Sequence, residues 1–351
     1  MESFELLQTL CNLPGVSGFE TPVREVIAGL IGPFVDEMRT DALGNLIACK
    51  RGTSDFTLML AAHMDEVGLM VQYIDERGFL SISPIGGWDA RILPSHLVTL
   101  ITACGRQIEG VLGADPPHIL GAGGSDRPVP LEKLFIDIGA ASRREAQDLG
   151  VAVGDPAVLR YPFRRLGAES VAGKALDDRS GCATIVKALW ALRDEKLPAT
   201  LMAAFTVAEE RGLIGGRTAA YQIHPDMALV LEGTVAGDTP GVPPQRCPCS
   251  QGAGPAITVA DKSFIAPRAM VAALQAIAEK EGLPCQLKAP AFGGTDAGAI
   301  HQSRGGVFCG VIAVPCRYTH SPFSTCRLAD FDATWKLLVA FCRQAHEIPR
   351  G

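Results

Sequence analysis

Three stretches of this chain, TLMLAAH (57–63), ATLMAAFTV (199–207) and MALVLEG (227–233), are almost unbroken apolar runs of strand length. A strand that is apolar on both faces must be covered on both faces, which calls for helices on either side of a sheet and predicts an α/β architecture. Each run also leads into histidine or carboxylate. Five such clusters close inferred strands or their turns: HMDE at 63–66, LDDR at 176–179, AEER at 208–211, LEG at 231–233 and RYTHS at 317–321. Open α/β sheets build their sites where strand carboxyl ends converge, so the five clusters are expected at one edge of one sheet.

The texture changes between Val67 and about Pro162, where short β-like runs (GLMVQYI, FLSISPI, HLVTLITA, EGVLGA, KLFIDIG, PAVLRY) alternate with Gly and Pro, and only SRREAQDLG reads as helix. This predicts a small, mostly β domain at 67–162 inserted into a discontinuous α/β domain formed by 1–66 and 163–351. Further helices are expected at the N-terminus, after Asp178, from about Pro267 to Glu281 and from about Leu328 to Ala345. Hydrophobic residues make up 47% of the chain, yet no apolar run reaches the roughly 18 residues of a membrane span. The net charge of −6 comes without long blocks of one sign, which argues against a nucleic-acid partner. The opening MESFELLQTLCNLPG has no basic segment before its apolar residues, so it reads as an amphipathic helix and the expected location is cytoplasmic. The 11 cysteines are scattered and most are expected as buried thiols; Cys247 and Cys249 form a CxC that does not match zinc-ligand spacings.

Two imidazoles with several carboxylates suit Zn²⁺, Co²⁺ or Mn²⁺, cations of intermediate hardness. In a two-metal site a carboxylate must bridge, and Asp177 or Asp178 is the candidate, although one of the two could simply cap a helix. Of Glu209 and Glu210, adjacent at a strand end, one can ligate while the other serves as general base. His63 with Asp65 has the form of a ligand and the residue that orients it, and His320 offers the second imidazole. His96, His118, His224 and His301 lack that placement and are expected to be structural or to support the ligands from behind.

The motifs DALGNLIA, AAHMDEVGLMV, IGGWDARIL, VLGADPPHIL, GKALDDRSGCA, AEERGLIGGR, GGTDAGAIH and VPCRYTHSP together resemble the metallo-aminopeptidases that include tetrahedral aminopeptidase, glutamyl aminopeptidase and proteins once labelled cellulase M. The resemblance implies a three-layer α/β catalytic domain with a mixed central sheet, like other zinc peptidases, and an inserted β-rich dimerisation domain. It implies two divalent ions, zinc or cobalt with manganese as the alternative, bound by His63, Asp177, Glu210, Glu232 and His320, with Asp177 bridging. Glu209 would be the general base and Asp65 would orient His63. Substrates would be peptides with a free N-terminus, and the chain would form homo-oligomers, dimers assembling into a twelve-subunit tetrahedral shell. Three positions depart from the family's pattern: Glu232 where many relatives have Asp, Arg211 where a small apolar residue is usual, and Ala253 where a basic residue is common. A deacylase or dipeptidase on the same two-metal core, a glycoside hydrolase using the paired carboxylates, and a peptide-binding protein without turnover are the competing readings.

Overall fold

The computed structural model describes residues 1–115, 129–289 and 292–350. His118 and part of the VLGADPPHIL motif lie outside them.

Four parallel strands form the middle of the main sheet, in the order Thr200–Thr206, Thr57–His63, Met227–Val235, Phe308–Arg317. Antiparallel strands flank them: Leu46–Lys50 and Glu37–Thr40 on one side, and Ser324–Arg327, Ser170–Gly173 and Arg164–Leu166 on the other. The apolar runs behave as their composition requires. Along Thr57–His63, Leu58, Leu60 and Ala62 enter one core while Met59 and Ala61 enter a second, because successive side chains leave opposite faces. Met227, Leu229 and Leu231 against Ala228 and Val230 repeat the alternation one strand over.

The larger core lies under the helices Ser3–Asn12, Thr21–Ile31, Leu176–Ala191, Arg268–Lys280 and Leu328–Gln344. The opposite core is covered by Ile214–Ile223 and the short Ala297–Ile300. Helix, sheet and helix thus form the three layers expected. The helix after Asp178 is more deeply set than a single apolar face implies: besides Cys182, Ile185, Val186, Leu189 and Leu192, it also buries Ser180, Gly181, Ala183, Thr184 and Ala188. It is packed between the sheet and the Ser3–Asn12 and Leu328–Gln344 helices, and its small residues permit that close approach.

Six further strands, Gly68–Ile74, Leu80–Ile85, Leu97–Ile101, Gln107–Gly113, Phe135–Asp137 and Pro156–Leu159, close into an antiparallel barrel with its own core of Leu69, Leu80, Val98, Leu112, Ile136 and Leu159, among others. The one helix expected in this region is Arg143–Asp148, capped by the Ser142 hydroxyl, which accepts from the Glu145 N–H. The barrel strands correspond to the six β-like runs of the sequence. Among the described residues no helix is long and apolar enough to cross a membrane.

Candidate metal centre

Four parallel strands end on the same side, and their carboxyl ends deliver most of the expected site. His63 is the last residue of its strand. Thr206 ends the next, and after Ala208 the chain turns into a short 3₁₀ segment, Glu209–Arg211. His320 lies three residues beyond Arg317. Glu232 differs from expectation, since its strand continues to Val235 and the residue projects from within the sheet rather than from its end. Asp177 and Asp178 open the central helix, directly after the Ser170–Gly173 strand. The turns carrying these groups are forced: Ala175, Ala208, Tyr318 and His320 all have left-handed φ values, 57°, 51°, 62° and 54°. Such conformations cost about 1–3 kcal/mol each in non-glycine residues and cluster where side chains must be aimed.

Asp177 sits between two imidazoles. Its Oδ1 is 3.2 Å from His63 Nε2 and its Oδ2 is 3.6 Å from His320 Nε2. Glu232 Oε1 lies 3.4 Å from His63 Nε2, and Glu210 Oε1 3.3 Å from His320 Nε2. Two groups of donors result, His63–Asp177–Glu232 and Asp177–Glu210–His320, each with one atom per residue and all atoms within 4.8 Å of one another. Glu209 joins His63 and Glu210 in a third such group. These residues line a cleft of about 260 Å³.

The imidazole tautomers provide a test of whether the set suits a cation. His63 Nδ1 is 3.0 Å from the Asp65 carbonyl and His320 Nδ1 is 3.0 Å from the Gly87 carbonyl. A carbonyl only accepts, so both Nδ1 atoms carry the proton, and in the neutral rings both Nε2 atoms present lone pairs. Two lone pairs facing three carboxylates repel unless protons or cations lie among them, and divalent cations can satisfy all five groups at once. The donor set therefore fits divalent ions.

The supporting shell is dense. Asp65, fully buried, accepts from Ser17 Oγ (2.6 Å) and from the backbone N–H groups of Glu209 (3.1 Å) and Glu210 (3.2 Å), and its Oδ1 is 3.3 Å from His63 Nδ1. Asp178 turns away from the cleft and accepts from the N–H groups of His63 (3.2 Å) and Gly181 (2.9 Å). Any side chain at position 181 would strike it, since a Cβ there would lie 2.4 Å from Asp178 Oδ2. Burial pushes Glu232 up to about 8 and Glu210 up to about 7, against an ordinary value of 4.5, with His63 and His320 respectively pulling the other way. Burial also raises Glu209, with Glu232, Asp296 and Glu210 adding to it and His63 opposing. For His63 burial works downward, but the carboxylates of Asp177, Asp65 and Glu232 outweigh it and the imidazole is raised.

Several contributors escaped the sequence reading. Glu66, the residue after Asp65, receives Lys174 Nζ at 2.6 Å and Arg179 at 3.5 Å, while Arg179 also donates to the carbonyls of Met64, Leu10, Leu13 and Gly15. This buried network ties the HMDE segment to the LDDR helix. Its members lie within HMDE and LDDR, or next to them, but only spatial proximity reveals their pairing. Asp296 accepts from Thr206 Oγ1 (2.6 Å) beneath the AEER turn. From the barrel side, Gly86 and Gly87 close over the ligands: a Cβ on Gly86 would come 3.0 Å from Glu210 Oε2, and one on Gly87 3.3 Å from His320 Nδ1. Of the other described histidines, His96 meets Tyr161 Oη, His224 ends a helix and His301 donates to the Ala297 carbonyl, and none of the three joins a donor group. Cys247 and Cys249 donate to backbone carbonyls and belong to none of the possible metal groups among the described residues. Arg211 and Ala253 are both exposed.

Comparison with known proteins decides the family. The model of the M42 glutamyl aminopeptidases matches residues 44–337. The chain belongs to this family. It is 32% identical to lysyl aminopeptidase of Pyrococcus furiosus over 98% of both chains. Among solved structures, aminopeptidase APDkam598 of the archaeon Desulfurococcus kamchatkensis superposes with a TM-score of 0.94 at 38% identity, covering 97% of this chain and 94% of that one. The TET1 peptidase of Pyrococcus horikoshii, which can assemble into a tetrahedron or a large octahedral shell, superposes with a TM-score of 0.86 at 34% identity, covering 97% of this chain and 99% of that one. The M42 chain is therefore a peptide-bond hydrolase of the aminopeptidase kind, and the resemblance read from its motifs holds. M42 peptidases are metallopeptidases, in keeping with the donor set.

Proposed function

We propose that the cleft is a dinuclear aminopeptidase centre, with one divalent ion held by His63, Asp177 and Glu232 and a second by Asp177, Glu210 and His320. The observation that carries this reading is that Asp177 turns its two oxygens toward different imidazoles, which is what a bridging carboxylate must do. The nitrogen and oxygen donors suit zinc, cobalt or manganese. When bound, such ions supply Lewis acidity, polarising a carbonyl and lowering the pKa of water to ~7.

The chain's own groups do the rest. Glu209 takes a proton from the attacking water onto a carboxylate oxygen and returns it to the nitrogen of the departing amine. Its burial supports that role, because a carboxyl raised above its ordinary value can hold a proton near neutral pH. Asp65 keeps the parts in register, touching His63 on one side and the Glu209 and Glu210 backbone on the other.

Aminoacyl-anilides and matching N-acetylated peptides, assayed with metal and then with chelator, test the reading. Release of N-terminal residues only, lost with chelator and restored by metal, is expected. Glu209→Gln should lower kcat by at least ~10²-fold while both ions remain by elemental analysis; near-normal turnover would remove Glu209 from this role. His63→Ala and His320→Ala should lower the metal content, and an unchanged stoichiometry would overturn the ligand assignment.

We further propose that residues 67–162 form a dimerisation domain and that dimers build a closed shell, as the TET1 peptidase does. The barrel exposes Tyr73, Ile92, Leu97, Val111 and Val153, apolar side chains that a second copy of the chain would cover. Native mass measurement should give a twelve-subunit particle, and a monomer at micromolar concentration would refute the assembly. Names among the relatives divide between glutamyl and lysyl, so side-chain preference does not carry over from them.

A further inference from the structure

Beyond the Thr200–Thr206 strand the chain turns to present Glu209, and the backbone N–H groups of four successive residues there each donate to a side chain from outside the turn. Val207 donates to Asn45 Oδ1 (2.9 Å), Ala208 to Glu20 Oε1 (3.0 Å), and Glu209 and Glu210 to the Asp65 carboxylate (3.1 and 3.2 Å). Three side chains thus set the path of the turn. Their duties differ. Asn45 holds the strand end and also donates to Asp41 Oδ2, Thr218 Oγ1 and the Gly215 carbonyl. Asp65 reaches His63 as well as both glutamates, so a change there disturbs proposed ligands directly. Glu20 grips only the residue immediately before Glu209, and among the described residues it forms no hydrogen bond or ion pair with a proposed ligand.

Glu20 is a fixed post. Its carbonyl accepts from Val23 (3.0 Å) and Arg24 (2.9 Å) in the first turn of the Thr21–Ile31 helix, and its Oε1 accepts a second N–H, from Gly18 (2.9 Å). The residue is 4% exposed, and burial, with Asp65 adding to it, raises its carboxyl above the ordinary value. A buried carboxylate that pairs with no cation costs stability, so a role as a simple fastening of the fold explains it poorly. What the charge offers is a stronger bond to an N–H than a neutral acceptor gives. That bond is made to Ala208, whose φ of 51° a non-glycine residue keeps only when its surroundings hold it there. We propose that Glu20 is a positioning residue for hydrolysis, its bond to the Ala208 N–H fixing the turn that aims the Glu209 carboxylate at the attacking water. The proposal rests on the reading of Glu209 as general base and adds the group that aims it.

A double-mutant cycle on metal-loaded protein tests this, with Glu20→Ala, Glu20→Gln and Glu209→Gln made singly and Glu20→Ala combined with Glu209→Gln, all assayed on the aminoacyl-anilide that the wild type cleaves fastest. Small misplacements of a catalytic group are costly, so Glu20→Ala should lower kcat about tenfold or more, with KM within about twofold and metal content unchanged. Glu20→Gln, whose amide oxygen can accept from the same N–H groups without the charge, should recover part of that loss. In the Glu209→Gln background Glu20→Ala should cause no further loss, because no base is left to aim. A normal kcat in Glu20→Ala, a loss that follows metal content, or losses that multiply in the double variant would each overturn the proposal while Glu209→Gln, inactive by itself, keeps the general-base reading intact. Near-normal turnover of Glu209→Gln alone marks failure of that reading, and the proposal falls with it. Should Glu20→Ala not fold, Glu20→Asp, one methylene shorter, takes its place under the same criteria.

Discussion

At the residue scale, the candidate centre is a collection of carboxylates that need protons or cations between them. Glu232 at about 8 and Glu210 at about 7 hold their protons more tightly in the folded chain than the ordinary 4.5, and His63 is raised as well. Groups raised in this way contribute stability that is complete below their unfolded pKa and disappears as pH climbs through the folded value. Chelator-treated protein should therefore lose thermal stability between pH 5 and 8, while the metal-loaded form, with the same carboxylates ionised against cations, should not. Melting curves of both forms across that range check this, and parallel profiles would contradict it. Glu66 makes a different prediction. It is the anionic partner of two buried cations, Lys174 and Arg179. Glu66→Gln leaves both uncompensated and should destabilise the fold by about 3–5 kcal/mol in denaturant unfolding. His63, Asp177, Glu209, Glu210, Glu232 and His320 were all legible in the sequence because each sits at or near the end of an apolar run. Glu66 and Lys174 were not, because what distinguishes them is the partner each finds, which arises only on folding.

The secondary-structure elements were legible to different degrees for physical reasons. The central strands announce themselves, since burial on both faces removes polar residues from the run. The Leu176–Ala191 helix was visible, but its depth was not: Ser180, Gly181 and Thr184 look like surface residues until the helix is packed between the sheet and its neighbouring helices. The Thr21–Ile31 and Ile214–Ile223 helices went unread; Gly215 and Gly216 open the second, and glycine weakens a helical signal. Depth has consequences for stability. Leu189→Ala, in the middle of the buried helix, should cost about 2–5 kcal/mol by creating a cavity between sheet and helices. Gly86→Ala should act instead on the site. The residue has φ +75°, and its new Cβ would meet Val67 at 2.6 Å and Glu210 Oε2 at 3.0 Å. Metal content should fall in that variant, with far-UV circular dichroism unchanged; full retention of metal would show that the Gly86 turn does not support Glu210.

At the scale of the whole molecule, the α/β unit and the barrel have separate hydrophobic cores and look like independent modules joined by two crossings of the chain. The Trp88 indole N–H donates to the Gly68 carbonyl (2.9 Å), fastening the Gly86–Gly87 turn to the first barrel strand. From there the Gly87 carbonyl fixes the proton on His320. Trp88→Phe should therefore weaken ion retention even though Trp88 touches none of the proposed ligands, and measuring metal content after dialysis against a mild chelator would reveal it. The two-part texture of the sequence, β-rich in the middle and α/β around it, conveyed the division but not this bond between the parts. One carbonyl reaching across the division changes what the chain can survive. A chain that lost its barrel would lose the carbonyl that sets the His320 tautomer, so the inserted module and the candidate centre stand or fall together.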